Sequence, residues 1–143
     1  MNDMMFNSHE TLTRDGRKVA VWTLCSNHHD KQSIPIVIGS GFARRMHHFT
    51  SLATYAVHNG FFVSRYDPVN HVGLSEGDIW DFTLSDSLES LRAAVDWTCE
   101  YTGSDQVIVV ATSLTARVAY ELAAQNHHIA AVITAVGVTN IRD

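Results

Sequence analysis

Short apolar runs bounded by turn residues alternate along this chain with longer stretches whose apolar positions recur every three or four residues. After the turn-like Asp15-Gly16, the segment Arg17 to Leu24 mixes β-branched and aromatic residues in partial alternation, which predicts an early strand. A polar loop, Ser26 to Ser33, leads to the apolar run Ile34 to Ile38, which ends at Gly39-Ser40-Gly41 and suits a strand buried on both faces. From Met46 the positions Phe49, Ala53, Ala56 and Val57 form one helical stripe, and Asn59-Gly60 supplies the backbone that stops it. Phe61 to Tyr66 is the next predicted strand, closed by Asp67-Pro68. Val69 to Asp81 then has the glycines and polar residues of a functional loop.

Asp86 with Glu89 three residues later resembles a capping pair for a second helix, in which Leu88, Leu91, Val95 and Thr98 keep helical spacing up to Gly103. Gln106 to Ala111 predicts a buried strand, Leu114 to Gln125 a helix and Ile129 to Val136 a last strand. Strands alternating with helices predict an α/β domain, residues 1–143 as one unit: a mostly parallel sheet with helices on both faces and right-handed crossovers. Chemistry in such sheets gathers at the carboxyl ends of the strands. Here those are the loops starting at Ser40, Asp67 and Thr112.

Composition narrows the function classes. Fifteen acidic and ten basic side chains give a formal charge of −5, which disfavours nucleic-acid and anionic-membrane binding. Cys25 and Cys99 are far apart and form no CxxC, so a reduced, cytoplasmic setting is expected, with neither a disulfide framework nor a zinc site. Met1 to Glu10 is polar and has no apolar signal-peptide core, and no apolar run approaches the ~20 residues of a membrane span. No cofactor motif is present.

The sharpest chemical signal is Val109-Val110-Ala111-Thr112-Ser113-Leu114-Thr115-Ala116, a buried strand turning within two residues into a helix with a serine at the turn. Such a nucleophile elbow needs small residues two before and two after the serine. Glycine is usual there, and here the positions hold Ala111 and Thr115. The competing reading is a serine that only caps a helix. An acyl-transferring serine also needs two backbone N–H donors for the oxyanion. Leu114 at the helix amino terminus would be one, and Phe42, in the Ser40-Gly41-Phe42 loop, the other.

Four stretches together resemble the fatty-acyl transferases of bioluminescent bacteria, α/β hydrolases that act as myristoyl-acyl-carrier-protein thioesterases in the luciferase operon. They are residues 40–46, Tyr66-Asp67 with 71–75, 113–121, and 133–137 with 140–143. The resemblance implies an α/β-hydrolase fold cut off after about the sixth strand. It implies that Ser113 takes a long acyl chain from an acyl carrier protein thioester and passes it to water or another acceptor, supplying a fatty acid reductase and its synthetase partner. It also implies that the acid and histidine that activate the serine follow in that order beyond position 143. Glu121 lies two turns along the helix that follows the serine, and His127 and His128 lie beyond its end, ~20 Å from the elbow, so none can reach Ser113. On their own, residues 1–143 are expected to be inactive.

Other groups have plainer readings. The histidine pairs His28-His29, His47-His48 and His127-His128 are adjacent in sequence, which points helical neighbours to different faces and argues against a metal site. Arg44 and Arg45 either meet the acidic carrier protein that the resemblance implies or are solvated, loop-anchoring arginines. Asp67 and His71 either shape the pocket rim or stabilise their loop, and Arg117 reads as a structural ion-pair partner. Two competing functions remain open: an esterase for small soluble esters and a non-catalytic hydrolase-like remnant.

Overall fold

The structure, a computed structural model, describes residues 3–138. Its strands are β1 (Met4–Leu12), β2 (Lys18–Ser26), β3 (Ile36–Gly39), β4 (Val63–Tyr66), β5 (Val107–Thr112) and β6 (Ile129–Ala135). The helices are α1 (Thr50–His58), α2 (Leu84–Thr102) and α3 (Leu114–Ala123), with a 3-10 turn at Met46–Phe49 running into α1. One six-stranded sheet has the order β1-β2-β4-β3-β5-β6. β1, β2 and β4 pair antiparallel, whereas β4, β3, β5 and β6 pair parallel through helical crossovers.

Alternation along the strands divides the core into two layers. Val19, Val21, Val37 and Val109 face α2 and α3, where they pack on Leu91, Val95, Val118 and Leu122. Leu24, Ile38 and Val63 point to the opposite face and pack on Ala53, Ala56 and Val57 of α1. Full burial of side chains such as Leu91 and Leu122 contributes roughly 1.5–3 kcal/mol each. Gly60 and Gly103 follow α1 and α2 at φ +90° and +72°, the left-handed backbone that ends a helix.

One element went unpredicted from the sequence, and one expected cap is corrected. The polar start Met4–Leu12 is a full strand paired residue for residue with β2, held by Phe6 edge-on to Trp22 at 5.2 Å and by His9 against Trp97 and Tyr101. The cap of α2 is Thr83 with Asp86, not Asp86 with Glu89. Thr83 Oγ1 accepts from the Asp86 N–H, and Asp86 Oδ2 accepts from the Thr83 N–H at 3.1 Å. Asp86 also accepts from Arg17 Nη1 (2.6 Å) and Asn70 Nδ2 (3.1 Å). Burial raises its carboxyl pKa, but the bonds from Arg17, Thr83 and Asn70 outweigh this and lower it.

At the β6 edge no described element covers the sheet. The face turned to the α1 side carries Ala131, Ile133 and Ala135, all exposed, and half-buried Ile108 and Val110 beside them. Neither charge nor proline interrupts this strand, so its free backbone groups and apolar face invite pairing with another chain. At tens of micromolar the chain should scatter light as oligomers, and Ile133→Lys should shift it towards monomer. A monodisperse unaltered chain would contradict that expectation. No helix among the described residues is long and apolar enough to cross a membrane.

Candidate active site

β5 delivers Ser113 to the carboxyl end of the sheet, and the turn into α3 gives it φ 52° and ψ −128°. That conformation is costly for a residue with a Cβ, by about 1–3 kcal/mol, and neighbours must enforce it. The Ser113 N–H donates to the Ala135 carbonyl, and its own carbonyl accepts from Ala116 and Val138. Its hydroxyl makes no capping bond to α3, so the helix-capping reading fails, and the side chain is left half-buried with its oxygen uncommitted among the described residues.

The bulky Thr115 fits because its neighbour across the turn is Gly39. A Cβ on Gly39 would come within 2.8 Å of Thr115 Cγ2. The Thr115 hydroxyl donates to the Ser40 carbonyl at 2.5 Å and thereby ties the elbow to the loop after β3. Gly41 then runs directly against the serine, since a Cβ there would lie 3.0 Å from Ser113 Cβ. Neither the Phe42 nor the Leu114 N–H has an acceptor among the described residues, which leaves both proposed oxyanion donors unspent beside Ser113.

Asp67 and His71 hold the loop from Ser40 to Met46. Asp67 Oδ1 accepts from the Met46 N–H at 2.8 Å, Asp67 Oδ2 accepts from Leu74 N–H at 3.0 Å, and Ser75 donates to the Asp67 carbonyl. Gly73, at φ +124°, lies so close over Asp67 that a Cβ would fall 2.2 Å from the carboxylate. His71 Nε2 accepts from the Ala43 N–H at 2.9 Å. Burial lowers the His71 pKa from its ordinary value, and the Val72 backbone and the Asp67 carboxylate, which favour the charged ring, offset only part of this. Buried Arg65 donates from Nη1 to the Met46 carbonyl and to Thr50 Oγ1, with its guanidinium 5.6 Å from the Trp22 ring centre, and burial lowers its pKa.

The remaining candidates are dispersed. Arg44 and Arg45 are exposed next to this loop and pair with no acidic side chain among the described residues. Arg117 forms no ion pair there either, contrary to its expected structural role. His127 and His128 precede β6, whose first residue pairs with Val107 at the start of β5, so they sit at the end of the sheet opposite Ser113. The Cys99 thiol is pushed up to about 11 by burial, and further by Asp96 and Asp105, and stays protonated at neutral pH. A cleft of about 330 Å3 between Cys25, His29, Phe62 and Tyr101 also opens at the amino ends of the parallel strands, away from the serine.

Three contributions escaped sequence reasoning: the Thr115 hydroxyl, the His71 acceptor and the close approach of Gly73. Each depends on a partner dozens of residues away or on a left-handed backbone, and neither leaves a local pattern.

The acyl transferase family model matches residues 7–143. An acyl transferase of Photobacterium phosphoreum is 49% identical over 128 residues, which cover 89% of this chain and 42% of that protein. One from Shewanella hanedai is 41% identical over 143 residues, 99% of this chain and 46% of that protein. The chain thus spans less than half the length of these relatives. Among solved structures, an esterase of Pyrococcus furiosus superposes with a TM-score of 0.74 at 22% identity, over 94% of this chain and 50% of the other. An α/β hydrolase of Novosphingobium aromaticivorans gives 0.70 at 21%, over 94% and 44%. At such identities the superpositions establish the α/β-hydrolase fold alone. The sequence match runs from within β1 to beyond the end of β6, and on that ground the chain belongs to the acyl transferase family.

Proposed function

We propose that this chain is the amino-terminal half of a serine acyltransferase that removes long acyl groups, myristoyl the first choice, from acyl carrier protein. The observation that carries the reading is Ser113 held at φ 52° with its hydroxyl withheld from the helix it precedes. In the proposed reaction a histidine takes the serine proton as Oγ bonds to the thioester carbon. The oxyanion meets the Phe42 and Leu114 N–H groups, the C–S bond breaks, and the proton passes to the departing thiolate. Water or another acceptor then attacks the acyl-serine, its proton returns through the same histidine, and the acyl–Oγ bond breaks. Arg44 and Arg45, exposed beside the oxyanion loop, suit the acidic surface of a carrier protein. The released acid would feed a fatty acid reductase and its synthetase partner, which make aldehyde for light emission in the cytoplasm.

The histidine and its carboxylate are assigned to the segment that the relatives carry beyond the region matched here. The uncovered apolar face of β6 supports this, because a further strand and helix would bury it. The test is chain-length preference in the completed protein, this chain followed by that segment. Release rates on carrier-bound thioesters should rise from short to long acyl chains. Equal or faster hydrolysis of small soluble esters would make it an esterase instead.

A further inference from the structure

We propose that His71 is the positioning residue of the oxyanion hole: it accepts the Ala43 N–H and packs against the Phe42 ring, which together aim the Phe42 N–H at Ser113. This rests on the serine chemistry proposed above. The loop from Ser40 to Met46 is anchored at its ends by side chains, Thr115 on the Ser40 carbonyl and Asp67 on the Met46 N–H. Between them Ala43 sits at φ 59°, a left-handed conformation that an alanine does not adopt unaided. The contact at that residue is the 2.9 Å bond from its N–H to His71 Nε2.

The same imidazole lies edge-on to Phe42, with ring centres 5.5 Å apart, and both rings pack against Phe82 at 5.2 Å. Contacts on the half-exposed Phe42 ring and on the amide that follows it restrain the Phe42 backbone, and with it the direction of its N–H. Because Gly41 already touches the serine, a small rotation of this loop moves the donor off the oxyanion. Nε2 as acceptor places the ring proton on Nδ1, which is buried with no partner in hydrogen-bonding geometry. An apolar side chain would avoid that cost but leave the Ala43 N–H without its acceptor, so the histidine's place here is tied to the loop conformation it holds.

Two measurements test the assignment. In the completed protein His71→Phe keeps an aromatic ring and removes the acceptor. It should lower kcat on acyl thioesters by roughly 10- to 100-fold with KM nearly unchanged, less than the full loss of an oxyanion donor. His71→Gln, whose amide oxygen reaches about as far as Nε2, should recover most of that loss. A His71→Phe protein with unaltered kcat, or a kcat loss that His71→Gln leaves in place, overturns the role. Independently of turnover, 15N NMR of the imidazole should show His71 protonated at Nδ1 and bare at Nε2, and the Nε2–H tautomer would overturn it too. If the unaltered protein never acylates Ser113, the proposed function fails, and the tautomer alone then decides the position of His71.

Discussion

Ser113→Ala in the completed protein should reduce acyl transfer by on the order of 10⁶-fold and abolish acyl-enzyme formation, the scale seen when a serine nucleophile acting with its base is removed. The expectation follows from geometry. Ser113 is at the carboxyl end of β5 with its hydroxyl uncommitted, Gly41 is pressed against it, and two unspent N–H groups flank it. The two cysteines do not compete with it, since Cys25 and Cys99 are buried thiols whose pKa values are raised. The variant should fold normally, because among the described residues Ser113 Oγ makes no bond that alanine would lose. Mass spectrometry after incubation with an activated acyl ester should find the acyl group on Ser113. Its appearance on Cys99 or on another serine would move the nucleophile elsewhere.

Residues 1–143 alone should turn over acyl thioesters at about 10⁻⁶ of the completed protein's rate, since a serine without a positioned base keeps only what the oxyanion hole and binding supply. His127 and His128 lie at the other end of the sheet, and the His71 Nε2 lone pair is taken by the Ala43 amide. A fold that buries Leu91, Leu122, Val19, Val21, Val107 and Val109 can assemble and still not cycle. Both proteins would be assayed on the same thioesters. Serine-dependent multiple turnover by the short chain would mean that a base lies within it, with His47 and His71 the first to replace.

Much of this protein was legible from local pattern. The periodicity of Met46 to Val57 and of Leu88 to Thr98 identified the helices, and the apolar runs before Gly39 and Thr112 identified two central strands, because burial on one stripe or on both faces leaves its mark within a dozen residues. The elbow was legible because a strand, a serine and a helix follow one another without a loop. β1 was not. An edge strand with most residues exposed needs few apolar positions, and what fixes Met4–Leu12 is its pairing with β2 and the contacts of Phe6 and His9 with rings far along the chain.

By itself the sequence determined the α/β order of elements, the place of the serine at a strand-to-helix turn and the loop that would supply Phe42. Only the tertiary structure decided that Ser113 is an elbow rather than a cap, because backbone φ and the direction of a hydroxyl are set by what packs around the turn. It likewise decided that Thr115 is tolerated, since the space it needs is created by Gly39 on another strand. Asp67 and His71 became loop anchors only when β4 aligned beside β3 and brought their acceptors to the Met46 and Ala43 amides. Periodicity records which side of an element is buried. Which two groups meet across the sheet depends on register and on backbone turns, and these come from the whole fold acting together.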